Sequence, residues 1–428
     1  VGQQDVGPPL PPIGPSGGRW PDVGRIGVLR GGGIGDLMFV MPALAALRAA
    51  YPEAELVLLG TGAHRALLAG RPGPVDRCLP LPRAHGVHEP TPGQPDDGVD
   101  QGEFLASVSA IRLDLGVQLH GGGRWSNPFL LRTGARHTVG PATPDAEPLE
   151  RTIPYRYYQH EVLRHLEVVG LAGAPPVAVD PALPVTDDDR GRAAAALSGL
   201  AEPLLVVHPG ATDPRRRWPP PLFAEVVQRV VREGAGAVVL GSSNEDELVR
   251  ATARLARDQL PVGLRDQVRE FPGTLDLSGM VGVLAAARVV LANDSGPRHV
   301  AQAVGTATVG IFQACNVINA AALGRARHPV HFTWFTRCPR CGVLGAGPEG
   351  ARCVHEYSMV ADVPVGEVLA DVRELLRNPA GAARNGAGSA AEGQDRAGTG
   401  CQRHSSSGAS WAATVGAHRS SSPAGENA

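Results

Sequence analysis

Residues 28–52, VLRGGGIGDLMFVMPALAALRAAYP, decide the fold. An apolar run breaks on three consecutive glycines, passes Arg30 to Asp36, and continues with Leu37, Val40, Met41, Leu44 and Leu47 at helical spacing. A glycine loop between a strand and a helix lets a ligand or another backbone come close to the chain. Two familiar nucleotide loops are excluded here. A G-x-G-x-x-G fingerprint needs glycine where Asp36 stands, and a carboxylate there repels a pyrophosphate. A Walker loop needs a lysine, and all 40 basic side chains of this chain are arginine. Asp36 then either caps its own helix, worth about 1 kcal/mol, or serves as a general base at the helix entrance. Pro42 would cost about 3 kcal/mol in a helix interior, so a kink or an early turn is expected there.

Working outward, short apolar segments at 25–30, 56–60, 75–81 and 113–119 alternate with helical patterns. A Pro-rich stretch, APPVAVDPALPVTDDD at 174–189, reads as a linker, after which LLVVHPG, AVVLGSS, RVVLANDSG and TATVGIF restart the alternation. Strands alternating with helices imply parallel sheets covered on both faces. The expected fold is α/β: two Rossmann-like, doubly wound domains facing a cleft, with ligands beyond the carboxyl ends of the strands. The expected boundaries are a disordered leader at 1–24, a first domain at 25–185, a second at 186–377, and a disordered tail at 378–428. Both tails are too poor in large apolar groups to offset their ordering entropy.

The chain of 428 residues carries a formal charge of -2, which gives no footprint for nucleic acid. No apolar run reaches the roughly 18–20 residues of a membrane span, and the leader lacks the apolar segment of a signal peptide. Six cysteines are too few for a disulfide scaffold, so a reducing cytoplasm is expected.

Three stretches of the second half carry chemistry. HPGATDPRRRWP at 208–219 offers Thr212 and three arginines, whose guanidinium forks suit diphosphate oxygens. NDSGPRH at 293–299 puts Asp294 and Ser295 before a helix entered through Pro297, an anion-binding arrangement. GSSNEDE at 241–247 places Glu245 past a strand end, where a carboxylate can accept from ribose hydroxyls. Each alone also reads as an ordinary turn or cap.

Taken in order, IGDLMFVMPALAALRAAYPEAELVLLG, HPGAT…RRRWP and NDSGPRHVAQAVGT resemble glycosyltransferase family 9, the ADP-heptose:lipopolysaccharide heptosyltransferases, over about residues 25–377. The resemblance implies a GT-B fold with the acceptor on the first domain and the nucleotide-sugar on the second. It implies inverting, metal-independent transfer from an ADP-sugar to a glycan or glycolipid, with no required cofactor. By position, Asp36 matches the catalytic base. Thr212, Arg216, Glu245, Asp294, Ser295, Gly296 and His299 match the donor site, with Arg216 where the family commonly has lysine. Gly33 and Gly35, with His120 and Arg124 from RLDLGVQLHGGGRWSN at 112–127, fall on the acceptor side. A cytoplasmic location follows, with peripheral membrane contact at most. Two rival readings are a silent GT-B scaffold that binds nucleotide or glycan, and a nicotinamide-dependent oxidoreductase; the missing fingerprint weighs against the second.

Cys338, Cys341, Cys353 and His355 could form a C-x2-C and C-x-H zinc set. The second pair is closer in sequence than is usual for zinc, so packed thiols are expected ahead of a metal site. Cys78 and Cys315 read as core.

Overall fold

The computed structural model describes residues 10–89, 100–345 and 353–378. Most of the expected tail, residues 379–428, and the first nine residues of the leader lie outside that range.

The first lobe is a six-stranded sheet of β1 (Arg25–Leu29), β2 (Glu55–Gly60), β3 (Arg77–Pro80), β4 (Leu115–Gln118), β5 (His137–Ala142) and β6 (Arg151–Pro154). The order is β3-β2-β1-β4-β5-β6, every pairing parallel. Its helices are α1 (Ile34–Ala50), α2 (Gly62–Leu68), α3 (Gln101–Ile111), α4 (Ser126–Leu131) and α5 (Glu161–Leu171). The second lobe holds β7 (Leu204–His208), β8 (Gly236–Gly241), β9 (Val268–Pro272), β10 (Val289–Asn293), β11 (Ala307–Gln313) and β12 (Val330–Thr333). Its order, β12-β11-β10-β7-β8-β9, is the same doubly wound topology, again all parallel. Helices α6 (Asp187–Leu197), α7 (Pro220–Arg232), α8 (Asp246–Asp258), α9 (Leu277–Ala286), α10 (Gly296–Ala303), α11 (Ala314–Ala320) and α12 (Val365–Arg377) complete it.

The central strands are buried on both faces: Ile26, Val28, Val117, Val206, Leu291 and Val309 are almost fully enclosed. That is why they read as continuous apolar runs rather than as an alternation. In each sheet the strand order reverses beside the first strand, between β1 and β4 and between β7 and β10. Ligand sites of such sheets lie at these reversals. The loops after β1, β7 and β10 are among the stretches that the sequence singled out, and the fourth, GSSNEDE, follows β8.

The lobes are joined by packing. One apolar cluster runs from Leu37, Met41 and Leu44 of α1 through to Val300 and Ala303 of α10. The linker crosses to the second lobe, where the Leu183 amide donates to the Ala303 carbonyl at 2.9 Å. Arg71, just beyond α2, then forms a two-pronged ion pair with Asp189 in the first turn of α6, with Nη2 to Oδ1 at 2.7 Å. Both side chains are enclosed, 4% and 0% exposed, so removing either partner would strand a buried charge at about 3–5 kcal/mol.

Three features differ from the sequence expectation. Helix α1 continues through Pro42, which is buried within it. β5 and β6 extend the first sheet although HTVGPA and RTIP carry prolines. Pro141 lies beyond the residues of β5 that pair with β4, and Pro154 ends an edge strand, so neither deprives a central ladder of a donor. Residues 10–24 of the expected leader lie along the first lobe. Leu10 donates to Pro176, Gly17 donates to Gly170, and Trp20 is buried beneath the Arg151 guanidinium. A Pro-rich segment has few hydrogen bonds to make with itself, and here it takes them from α5 and the linker.

Candidate active site

A cleft of about 680 Å³ opens at the strand reversals of both sheets. It gathers Gly33 and Asp36 from the first lobe with Thr212, Arg216, Glu245 and Asp294 from the second. Ser295, Gly296 and His299 also line it, as does the backbone of Gly35. His120 and Arg124 do not.

Asp36 stands in the first turn of α1, its side chain 44% exposed. One oxygen accepts from the Gly33 amide at 2.8 Å and the other from Nη2 of Arg30 at 2.7 Å. The carboxylate therefore does cap its own helix, yet each oxygen retains acceptor capacity beyond its one hydrogen bond, and the residue lines the cleft. The glycine loop is shaped around it. Gly32 has φ +88°, and a Cβ there would fall 2.5 Å from Oδ2 of Asp36. Below the loop, His64 is fully buried, accepts from the Thr61 amide and donates from Nε2 to the Gly33 carbonyl at 2.8 Å. Burial, opposed by that hydrogen bond, leaves its pKa at about 4, so the imidazole is neutral.

Arg30 was not foreseen from sequence, although it directly precedes the glycines. It is 4% exposed and also donates to the Leu119 carbonyl at 2.6 Å, with Glu161 of α5 at 3.5 Å. Burial raises the Glu161 pKa, but His165, Arg30 and Arg164 together bring it to about 2, so it is a fixed anion. Arg30 is thereby clamped between Glu161 behind and Asp36 in front.

In the second lobe the short turn Pro214–Arg216 separates three consecutive arginines. Arg215 pairs with Asp213 at 2.6 Å, and Arg217 folds back to the Ala211 carbonyl at 2.8 Å. Arg216 alone of the three faces the cleft, its Nη1 3.1 Å from Oδ2 of Asp294. Asp294 is 6% exposed and also accepts from Asn316 at 2.6 Å and from His299 at 3.2 Å. Burial opposes its charge, yet His299, Arg216 and Asn316 hold its carboxyl far below the usual range. Asp294 is thus an anchor for Arg216 and His299 rather than a group presented to a ligand.

Ser295 begins α10, and no side chain caps that helix. Its hydroxyl instead meets Nδ1 of His208 at 3.0 Å, while Nε2 of His208 donates to Glu245 at 3.3 Å. Glu245 also accepts from the Ser242 amide and hydroxyl, each at 2.9 Å. Burial raises the Glu245 pKa, but His208 and Ser242 outweigh it and leave it at about 2. The carboxylate lies over Gly210, where any Cβ would stand 1.8 Å from Oε1. His208 and Asn316 are further residues that the sequence reading passed over. His208 opens the HPGAT motif, which was the available signal; Asn316 had none.

Two glycines assigned to the acceptor side serve differently. Gly33 lies open at the rim, whereas the missing side chain of Gly35 admits the second lobe: a Cβ would stand 3.1 Å from Cδ2 of His299 and 3.2 Å from Cα of Gly296. His120 sits behind the loop, against Gly31, and burial with the nearby Arg30 brings its pKa to about 4. Arg124 is exposed on the first lobe, 3.4 Å from Asp145, with its guanidinium over the half-exposed ring of Trp125.

The family profile described as glycosyltransferase family 9 (heptosyltransferase) matches residues 123–331. Lipopolysaccharide heptosyltransferase 2 of Salmonella typhimurium is 25% identical over 294 residues, 65% of this chain and 80% of that protein. Two solved structures share the fold. The ADP-heptose LPS heptosyltransferase II of E. coli has 20% identity and a TM-score of 0.63, covering 82% of this chain and 98% of the other. The E. coli heptosyltransferase WaaC, solved with ADP, has 18% identity and a TM-score of 0.56, covering 82% and 99%.

Proposed function

We propose that this chain, similar to glycosyltransferase family 9 over residues 123–331 and to lipopolysaccharide heptosyltransferase 2, is a glycosyltransferase that moves a heptose or related sugar from an ADP-activated donor to a hydroxyl of a glycan or glycolipid. The observation that carries this reading is the convergence, in one cleft, of the Asp36 carboxylate from the first lobe and the Arg216 guanidinium from the second. A base on one side and a diphosphate ligand on the other is what direct transfer between two substrates requires.

In this account the donor lies on the second lobe. Its diphosphate meets Arg216, Thr212 and the uncapped amino end of α10, whose free amides and dipole favour an anion. Glu245, oriented by His208 and Ser242, takes ribose hydroxyls through the oxygen above Gly210. The acceptor hydroxyl enters over Gly33. Asp36 removes its proton as the oxygen attacks the anomeric carbon from the face opposite the diphosphate. The bond to the leaving oxygen breaks with its electron pair, and the configuration inverts. Charge that builds on the departing ADP is met by donors already in place, which is the source of the rate enhancement. Arg30 keeps the Asp36 carboxylate aimed at the acceptor. The rest of the acceptor runs over the first lobe toward Arg124 and Trp125, with His120 supporting the loop from behind.

This division gives the first lobe to the acceptor, within 25–185, and the second to the donor, within 186–377. Among the described residues no helix is long and apolar enough to cross a membrane. Independently of that, the family reading has a glycolipid acceptor met from the cytoplasmic side by peripheral contact. The lipopolysaccharide inner core is the acceptor that the name of the Salmonella relative supports.

A thermal-shift titration with ADP, UDP, GDP and NAD tests the donor side, because a ligand that binds only the folded state raises Tm. ADP is expected to give the largest shift. A response to UDP or GDP instead would change the donor, and a response to NAD without ADP would overturn the transferase reading in favour of an oxidoreductase. ADP binding without transfer of any ADP-sugar would favour the silent scaffold.

A further inference from the structure

Away from the cleft, the hairpin at 336–345 follows β12. It is closed by an antiparallel bridge between Arg337 and Leu344 and by the Gly345 amide donating to Thr336 at 2.9 Å. Its turn carries Cys338 and Cys341. The Gly342 amide donates to the Cys338 carbonyl at 2.8 Å, and Gly342 has φ +70°. The left-handed conformation, which glycine adopts without strain, closes the turn that carries both cysteines.

Cys353 and His355 complete the group. One ligand atom from each of the four residues lies within 4.8 Å of all the others. The sequence objection to C-x-H is answered by geometry: Val354 is 92% exposed, so it turns outward while its two neighbours turn inward. Nδ1 of His355 is buried without a hydrogen-bond partner. A buried imidazole nitrogen left unpaired beside three thiols costs free energy unless something occupies it.

We propose that Cys338, Cys341, Cys353 and His355 bind a structural zinc ion. Three thiolates and one imidazole are a closed tetrahedral donor set for zinc, leaving no open position for catalysis. Zn–S bonds of about 2.3 Å require sulfurs about 3.8 Å apart, so the group needs to contract by about 1 Å. The ion would tie the hairpin to the segment that follows His355. Both grip the arginine turn: Gly345 approaches Arg215, the Met359 amide donates to the Arg215 carbonyl at 2.8 Å, and the Ser358 hydroxyl donates to the Arg217 carbonyl at 2.5 Å. Zinc thus braces the backbone that carries Arg216. The proposal does not depend on the transferase reading.

Elemental analysis of the full chain, purified without a metal-binding tag and under reducing conditions, tests it. About one zinc per chain is expected, falling below about a tenth in Cys341→Ser and unchanged in Cys78→Ser. Cys341 is exposed, so its replacement leaves the core intact. Should that variant nevertheless fold poorly, cobalt substitution of the wild-type chain gives a second readout, the intense visible bands of a tetrahedral thiolate site. A strong chelator is expected to lower Tm, and added zinc to restore it. Folded, reduced protein that holds less than about a tenth of an equivalent of zinc and takes up neither added zinc nor cobalt would overturn the proposal. Stoichiometric iron in place of zinc would overturn the assignment of the metal.

Discussion

Gly35 of α1 and Gly296 of α10 touch across the floor of the cleft, and a Cβ on Gly35 would stand 3.2 Å from the Gly296 Cα. Phe39 and His299 pack above the same seam with ring centroids 4.5 Å apart. The helix that presents Asp36 and the helix that presents the donor-side amides are therefore held at backbone contact. Gly35 lies in the first turn of α1, where Ala gains less than the roughly 1 kcal/mol of a helix interior, and the new methyl meets the Gly296 backbone at 3.2 Å, so Gly35→Ala is expected to be near-neutral to about 1 kcal/mol destabilising. Gly35→Val loses the propensity gain and overpacks the seam, for a net cost of about 1–3 kcal/mol. Thermal unfolding of both variants checks this, and a Val variant as stable as the Ala variant would contradict it.

Arg216 is expected to dominate ADP affinity among the three arginines of its turn. Arg216→Ala should weaken ADP binding about ten- to a hundredfold, the worth of a charge-assisted hydrogen bond to phosphate. Arg217→Ala should change it little, because that guanidinium is spent on the Ala211 carbonyl. Calorimetric titration distinguishes the two, and equal losses would mean that the turn acts as an undivided basic patch.

Acid should weaken the fold in two stages. Burial holds His64, His120 and His328 at about 4 and His165 at about 3, below the ordinary 6.5. The unfolded chain therefore binds protons first, and stability present above about pH 6.5 is lost as the pH falls toward 4. Glu161 and Glu245, at about 2 in the folded chain, stabilise it above about pH 4.5 and lose that contribution as the pH falls toward 2. A Tm that is flat from pH 7.5 to pH 5 would contradict the histidine part.

The fold was legible because its central strands are buried on both faces and its breaks fall on glycine. The loops after β1, β7 and β10 announced themselves, and Asp36, Thr212, Arg216, Glu245, Asp294, Ser295, Gly296 and His299 do line one cleft. What stayed hidden was pairing between distant segments. Nothing near Arg30 says that Glu161 will clamp it, and the run RRR by itself does not single out one arginine; only the family resemblance pointed to Arg216. Gly35 reads as a ligand-approach glycine until α10 is seen against it. β5 and β6 were obscured by prolines whose positions in the ladder only the pairing reveals.

If Asp36 is the base and the second lobe holds the donor, loss of the carboxylate separates transfer from nucleotide binding. Asp36→Ala is to be assayed twice, for sugar transfer from ADP-heptose and for ADP binding by calorimetry. Transfer is expected to fall at least about a hundredfold while ADP affinity stays within about twofold of wild type. Transfer that survives, or ADP binding that falls in step with it, would contradict the assignment of Asp36 as the base.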